Sequence, residues 1–152
     1  MRVPCFPNWL FVSLSVWLGP LAVLSTPAQT ARPEPKPVPR MQVVPQPDHQ
    51  VSFQRDGVEI ARYHFGPALH RPFVFPLIGP AGRSVTRLGH PHDPDGHSHH
   101  NSLWISHNDV NGVNFWGDTG TNVGRIVHQQ IQQLDEGPDA AAIQTVNAWT
   151  DK

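Results

Sequence analysis

Six of the ten histidines lie between His90 and His107, and the densest run, His97-Ser98-His99-His100-Asn101, stands just ahead of Leu103-Trp104. Imidazole changes charge near neutrality, with an ordinary pKa of about 6.5, and ligates metals when neutral. Three readings of the run follow. His97 and His99, two apart, point the same way in an extended chain, and His100 the opposite way. With His107 as a third ligand, His97 and His99 would make a site for a divalent metal, Zn, Fe or Cu, with a position left open; Asp93 and Asp109 are carboxylate alternatives. Without a metal, His99, His100, His107 and Asp109 are the candidate general acid and base groups. The third reading is a loop whose imidazoles satisfy turn carbonyls.

Pro91, Pro94 and Gly96 forbid a regular helix through this run, so a loop delivers its side chains. Asp93-Pro94-Asp95-Gly96 lacks the spaced acids of a calcium loop, and Ser98 lacks the glycine two residues on that a nucleophile elbow requires. Trp104 and Trp116 read as core aromatics or as surfaces on which a sugar ring stacks. Arg125 and His128, three apart on an expected strand, face opposite sides, so only one lines a given pocket. Trp104, Trp116, Arg125 and His128 are the candidate ligand-contacting residues. Asn111-Gly112 reads as a turn, with Asn108 and Asp109 capping local backbone.

The elements that must position these residues are strands. Seventeen prolines and twelve glycines in 152 residues disfavour a helical bundle, and no segment shows a helical apolar stripe. Gln50 to Arg55 and Val58 to Phe65 flank Asp56-Gly57, a hairpin turn signal. Phe73-Val74-Phe75, hemmed by Pro72 and Pro76, fits an edge strand or a bulge. Gly79-Pro80-Ala81-Gly82 turns the chain into a strand at Ser84 to Leu88. Ser102 to His107 alternates, with Leu103, Ile105 and His107 on one face, and reads as a strand. Gly124 to Leu134 and Ala140 to Trp149 form a further hairpin across Asp135-Glu136-Gly137-Pro138. Seven or so short strands predict an all-β fold, an antiparallel β-sandwich. The last of them runs straight into Lys152 with no element to close it, which suggests an N-terminal fragment of a larger sandwich.

The N-terminal segment reads differently. Trp9 to Leu24 is an apolar run of 16 residues containing Gly19-Pro20 and followed by Ser25-Thr26-Pro27-Ala28, the pattern of a signal peptide over residues 1–28. The run is shorter than the ~20 residues that span a bilayer, and no second one follows, so export without a membrane span is expected. Cleavage after Ala28 would leave ten basic against twelve acidic groups and no cysteine, which rules out disulfides, thiolate chemistry and cysteine-type zinc sites in the mature chain. The charge balance and the lack of a basic run exclude nucleic acid as a partner. Prolines at 33, 35, 37, 39, 45 and 47 make residues 29–48 a Pro-rich linker of polyproline-II character, with the sandwich domain at residues 49–152.

His97-Ser98-His99-His100-Asn101-Ser102-Leu103-Trp104, then His107-Asn108-Asp109-Val110-Asn111-Gly112-Val113-Asn114-Phe115-Trp116, then Gly124-Arg125-Ile126-Val127-His128, together resemble the bacterial PmoA-like family. Arg71-Pro72-Phe73 and Ser84-Val85-Thr86-Arg87 fit the resemblance too, which covers roughly His49 to Lys152. It implies a longer, often exported β-sandwich continuing past Trp149, and the family's name implies an oxygenase. Asn114 stands where an Asp is common in that family.

Two function classes follow. One is a secreted enzyme acting on a carbohydrate or related polyol, using the His-rich site as a metal centre or as acid and base. The other is a non-catalytic binding or envelope module with a structural His loop. Beyond the linker the only Glu residues are Glu59 and Glu136, so a two-carboxylate glycosidase would need Asp93, Asp95 or Asp109.

Overall fold

The structure, a computed structural model, describes residues 34–151 with the exception of Pro91. The signal peptide expected at 1–28 lies outside the described residues, and residues 34–39 are irregular and largely exposed. No helix forms among the described residues. The chain builds six antiparallel strands: β1 (Met41–Gln46), β2 (Gln50–Arg55), β3 (Val58–His64), β4 (Phe73–Leu77), β5 (Arg125–Asp135) and β6 (Ala142–Thr150). The first four form one sheet in sequence order, and β5 pairs with β6 in a second.

Asp56 and Gly57 both take positive φ, 53° and 78°, the twist a two-residue hairpin needs, so Arg55 pairs with Val58 and β3 folds back on β2. β4 closes one edge of the sheet. Pro76, which has no N–H for a ladder, is confined there. β1 closes the other edge, eight residues earlier than the expected domain start at 49. Pro45 belongs to it, paired with Val51, so part of the stretch read as linker is strand.

The two sheets enclose a core of Val43, Val51 and Tyr63, against which Phe53, Phe65, Val74, Ile131 and Ile143 pack. Val51, fully buried, has been removed from water entirely, a contribution of roughly 1.5–3 kcal/mol. Two reciprocal backbone bonds between Met41 and Gly137, and one from the Val43 amide to the Glu136 carboxylate, tie β1 to the connection between β5 and β6. The architecture is an antiparallel sandwich, as the strand pattern indicated.

Two expected strands are absent. Ser84 to Leu88 makes only isolated bridges, Ile78 with Ser84 and Leu88 with Asn101, and Ser102 to His107 makes only one, Leu103 with Val74. Ile105 is 83% exposed and Leu103 54%, so the alternation there does not define a buried face. Both segments belong to the long connection from β4 to β5, which carries the histidine run. Connections of that length without elements of their own are most often functional.

Candidate functional site

The histidine run is held as a closed loop. The Gly89 amide donates to the His100 carbonyl at 2.8 Å, and a Cβ at Gly89 would sit 2.5 Å from the Ser98 carbonyl oxygen, so only glycine lets the two limbs approach. Inside the loop Asp93 accepts from the amides of Asp95 (3.0 Å) and His97 (3.3 Å) and pairs with Arg87. That guanidinium, helped by the two amides, pulls the Asp93 carboxyl down to about 2.

A turn follows, with the His100 amide donating to the His97 carbonyl at 3.0 Å. The turn replaces the extended chain the sequence suggested, and it changes which imidazoles meet. His97 and His100 stack, centroids 4.4 Å apart and planes 4° from parallel, while His99 stands edge-on to His100 at 4.5 Å and to His97 at 6.3 Å. His100 also meets Trp104 at 5.7 Å, His99 meets Trp116 at 6.3 Å, and the two indoles lie 5.4 Å apart. Partial desolvation, and then the neighbouring His99, His97 and Arg87, lower the pKa of His100, so its imidazole is neutral at neutral pH.

His97, His99 and His100 therefore converge, and His107 does not join them. Its Nδ1 lies 2.8 Å from the Asp109 carbonyl and 3.1 Å from the Asp109 amide, so the Asp109 backbone satisfies either tautomer. The Asp109 carboxylate accepts from the Gly112 amide at 2.8 Å and caps the Asn111-Gly112 turn, where both residues have positive φ. His107 lines a separate, open depression with Ser106, Asn108 and Trp116. The metal set His97, His99 and His107 does not assemble, and among the described residues no three His, Cys, Asp or Glu side chains are placed to hold a metal ion. The turn sets the His97 and His99 rings edge-on at 6.3 Å, and the Asp109 backbone holds His107 away from both.

The four candidate ligand-contacting residues divide in the same way. Arg125 is spent on the backbone, donating to the carbonyls of Pro67 (2.6 Å) and Leu69 (2.9 Å). His128 packs 4.4 Å from the Phe65 ring, and burial, reinforced by nearby His49 and opposed by Asn147, lowers its pKa. It lines a small cavity of about 230 Å³ with His49 and Phe65, apart from the indoles. Trp104 alone of the four lines a cleft of about 530 Å³, within the range of small-molecule sites.

That cleft opens where β3, β4, β5 and β6 meet the long connection. Phe73, Ile126, Trp104 and Trp149 give it apolar walls, and Tyr63, Thr145 and Asn147 give it a polar strip. Tyr63 Oη, Trp104 Nε1 and Asn147 Oδ1 are buried without a hydrogen-bond partner among the described residues. Burial raises the Tyr63 pKa; Thr145 and Asn147 soften the shift from nearby without a bond of good geometry. Each such atom costs roughly 1–3 kcal/mol while unpaired. Sequence reasoning missed Tyr63, Thr145, Asn147 and Trp149. The signal available was the spacing of the last three at i, i+2 and i+4, which sets them on one face of β6.

Behind Trp116, the buried Arg71 (1% exposed) donates to the Gly117 carbonyl at 2.9 Å and to Asp118 at 2.5 Å, anchoring the turn that carries the indole. Asn114 completes the turn by accepting from the amides of Trp116 (2.8 Å) and Gly117 (3.1 Å). The Asn at this position is used as a backbone cap. No curated protein and no solved structure matches the chain. Residues 50–152, which hold five of the six strands, the cleft and the histidine cluster, match the family of unknown function DUF6807, and the chain belongs to that family.

Proposed function

We propose that this domain is exported and binds a saccharide or a related polyol in the cleft walled by Trp104 and Trp149, with His100, which meets Trp104, and the adjoining His99 as the acid and base groups of an enzyme acting on that ligand. The observation that carries the reading is the set of three unpartnered buried polar atoms, Tyr63 Oη, Trp104 Nε1 and Asn147 Oδ1, on residues that line one aromatic cleft. They offer two donors and acceptors suited to hydroxyl groups, beside indole faces suited to the C–H face of a sugar ring. Neutral His100 is in the state a general base needs. The apolar run at Trp9 to Leu24 supports export, and the resemblance to PmoA-like proteins agrees with it. An oxygenase, as that family's name implies, ranks below both other readings.

The second reading is a non-catalytic binding module. It is favoured by one observation: among the described residues no Asp or Glu lines the cleft to supply the pair of carboxylates used in glycoside hydrolysis. Titration of intrinsic tryptophan fluorescence with neutral mono- and disaccharides and alditols tests the shared part of both. A saturable change that Trp149→Ala abolishes supports it, and no change across the panel removes it. For whichever sugar binds, turnover lost in His100→Ala with binding retained selects the enzyme.

A further inference from the structure

Resting on the saccharide reading above, we infer that the ligand is a glycosidically linked chain rather than a single sugar, one unit lying in the cleft at Trp104 and the next in the depression at Trp116. The two spaces meet at this pair of indoles. Leu103-Trp104-Ile105 lines the cleft, and Ser106-His107-Asn108, directly after it, lines the depression with Trp116. One stretch of six residues thus serves both, and the centroid of its Trp104 ring lies 5.4 Å from that of Trp116. That separation matches the spacing of successive rings in a linked sugar chain.

The depression, about 370 Å³, falls in the size range of small-molecule sites, and it is braced. The Ser106 hydroxyl donates to the Phe115 carbonyl, and the Phe115 amide donates to the His107 carbonyl at 3.0 Å, so two bonds tie its two walls together. Arg71 and Asn114 hold the turn that carries Trp116. All of these residues belong to the β3–β4 and β4–β5 connections, so the depression is built without β6. A site held in place before its ligand arrives loses less conformational entropy on binding.

Its chemistry repeats that of the cleft, an indole beside uncharged polar groups. The Asp109 backbone engages His107 Nδ1, which leaves Nε2 available to a ligand hydroxyl as donor or acceptor according to the tautomer, and Asn108 adds an amide with both functions. Among the described residues no Asp, Glu, Lys or Arg lines either space, which suits neutral sugar units rather than acidic ones. His100 marks the junction. Its ring lies 5.7 Å from Trp104 and 6.5 Å from Trp116, and His99 lies 6.3 Å from Trp116. A linkage that joins a unit in the cleft to one in the depression crosses beside the imidazoles named above as acid and base, whereas a single sugar seated in the cleft brings no linkage to them.

Calorimetric titration of the full chain with glucose, mannose, galactose and xylose, and with the linear di-, tri- and tetrasaccharides of each, tests the second subsite. In the series that binds, the disaccharide is expected to bind about tenfold tighter than its monosaccharide, the order of one aromatic contact with polar ones beside it, and longer chains to add little. Trp116→Ala is expected to cut that gain to about threefold or less, and so is Asn108→Ala, at an exposed position where folding is not at stake. Trp149→Ala, in the cleft, is expected to weaken one unit and two alike and leave their ratio standing. Equal affinity for one unit and two, or a gain that survives both Trp116→Ala and Asn108→Ala, overturns the second subsite while the saccharide reading stands. Absence of binding across all four series removes that reading and the second subsite with it.

Discussion

The imidazoles of His97 and His100 lie face to face, 4.4 Å between centroids and 4° from parallel. Two rings in that arrangement disfavour being charged together, and desolvation of His100 acts in the same direction. His100 should therefore titrate below the ordinary histidine value of about 6.5 when followed by its Cε1–H resonance. Replacing His99 with Gln should move its midpoint part of the way back up, since desolvation, the larger cause, remains. For stability the sign follows from the unfolded chain holding the extra proton: the contribution is complete above about pH 6.5 and is lost as pH falls through the lowered folded midpoint. A midpoint above 6.5 would contradict the stacking.

Asp93 gives a second pH dependence, at lower pH. Its carboxyl, pulled from an ordinary 3.8 to about 2 by Arg87 and two amides, stabilises the fold above pH 3.8, and that contribution is lost as pH falls toward 2. Urea titrations across pH 5, 3 and 2 should show the wild type losing more stability than Asp93→Asn. Hydrogen exchange should show the Asp95 and His97 amides losing protection in the variant.

Arg71→Met should destabilise the domain by about 3 kcal/mol, the lower end of the cost of breaking a buried ion pair, because Asp118 keeps some contact with water. The same change frees the Gly117 carbonyl behind Trp116, so the fluorescence spectrum should shift before the unfolding transition. Chemical denaturation gives the first quantity and an emission scan the second.

Gly124→Ala tests the packing that joins β5 to the long connection. An added Cβ would lie 2.4 Å from the ring of Phe115, which is 4% exposed and rests 4.8 Å from the Trp149 ring. The overpacking should cost about 1–3 kcal/mol in urea unfolding. A neutral substitution would mean that Phe115 has room to move.

What the sequence disclosed, and what it did not, divides by range. The β2–β3 hairpin was legible because Asp56-Gly57 is a local signal, and β4 because prolines confine a strand to an edge. β1 was hidden by Pro45 and Pro47, which read as polyproline; an edge strand tolerates the missing N–H, and the two readings share a composition. Spacing in an extended chain set His97 and His99 together and His100 on the opposite side; the meeting of all three was not legible, since it depends on a turn that Gly89, Arg87 and Asp93 fix from outside the run. The cleft was the least legible feature. Tyr63, Phe73, Trp104, Ile126 and Asn147 come from five separate stretches of chain, and only the packing of the two sheets brings them together.

The central claim is that the unpaired polar atoms of the cleft are satisfied by a hydroxylated ligand, and the indole N–H of Trp104 reports on it directly. Each of the five tryptophans gives one side-chain cross-peak in a ¹H–¹⁵N spectrum, and Trp104→Phe identifies the one that matters. On titration with the sugars and alditols that quench fluorescence, the account predicts a saturable downfield shift of the Trp104 peak, as Nε1–H gains an acceptor, with the same affinity as the fluorescence change. A Trp104 peak that stays in place at saturation would contradict it.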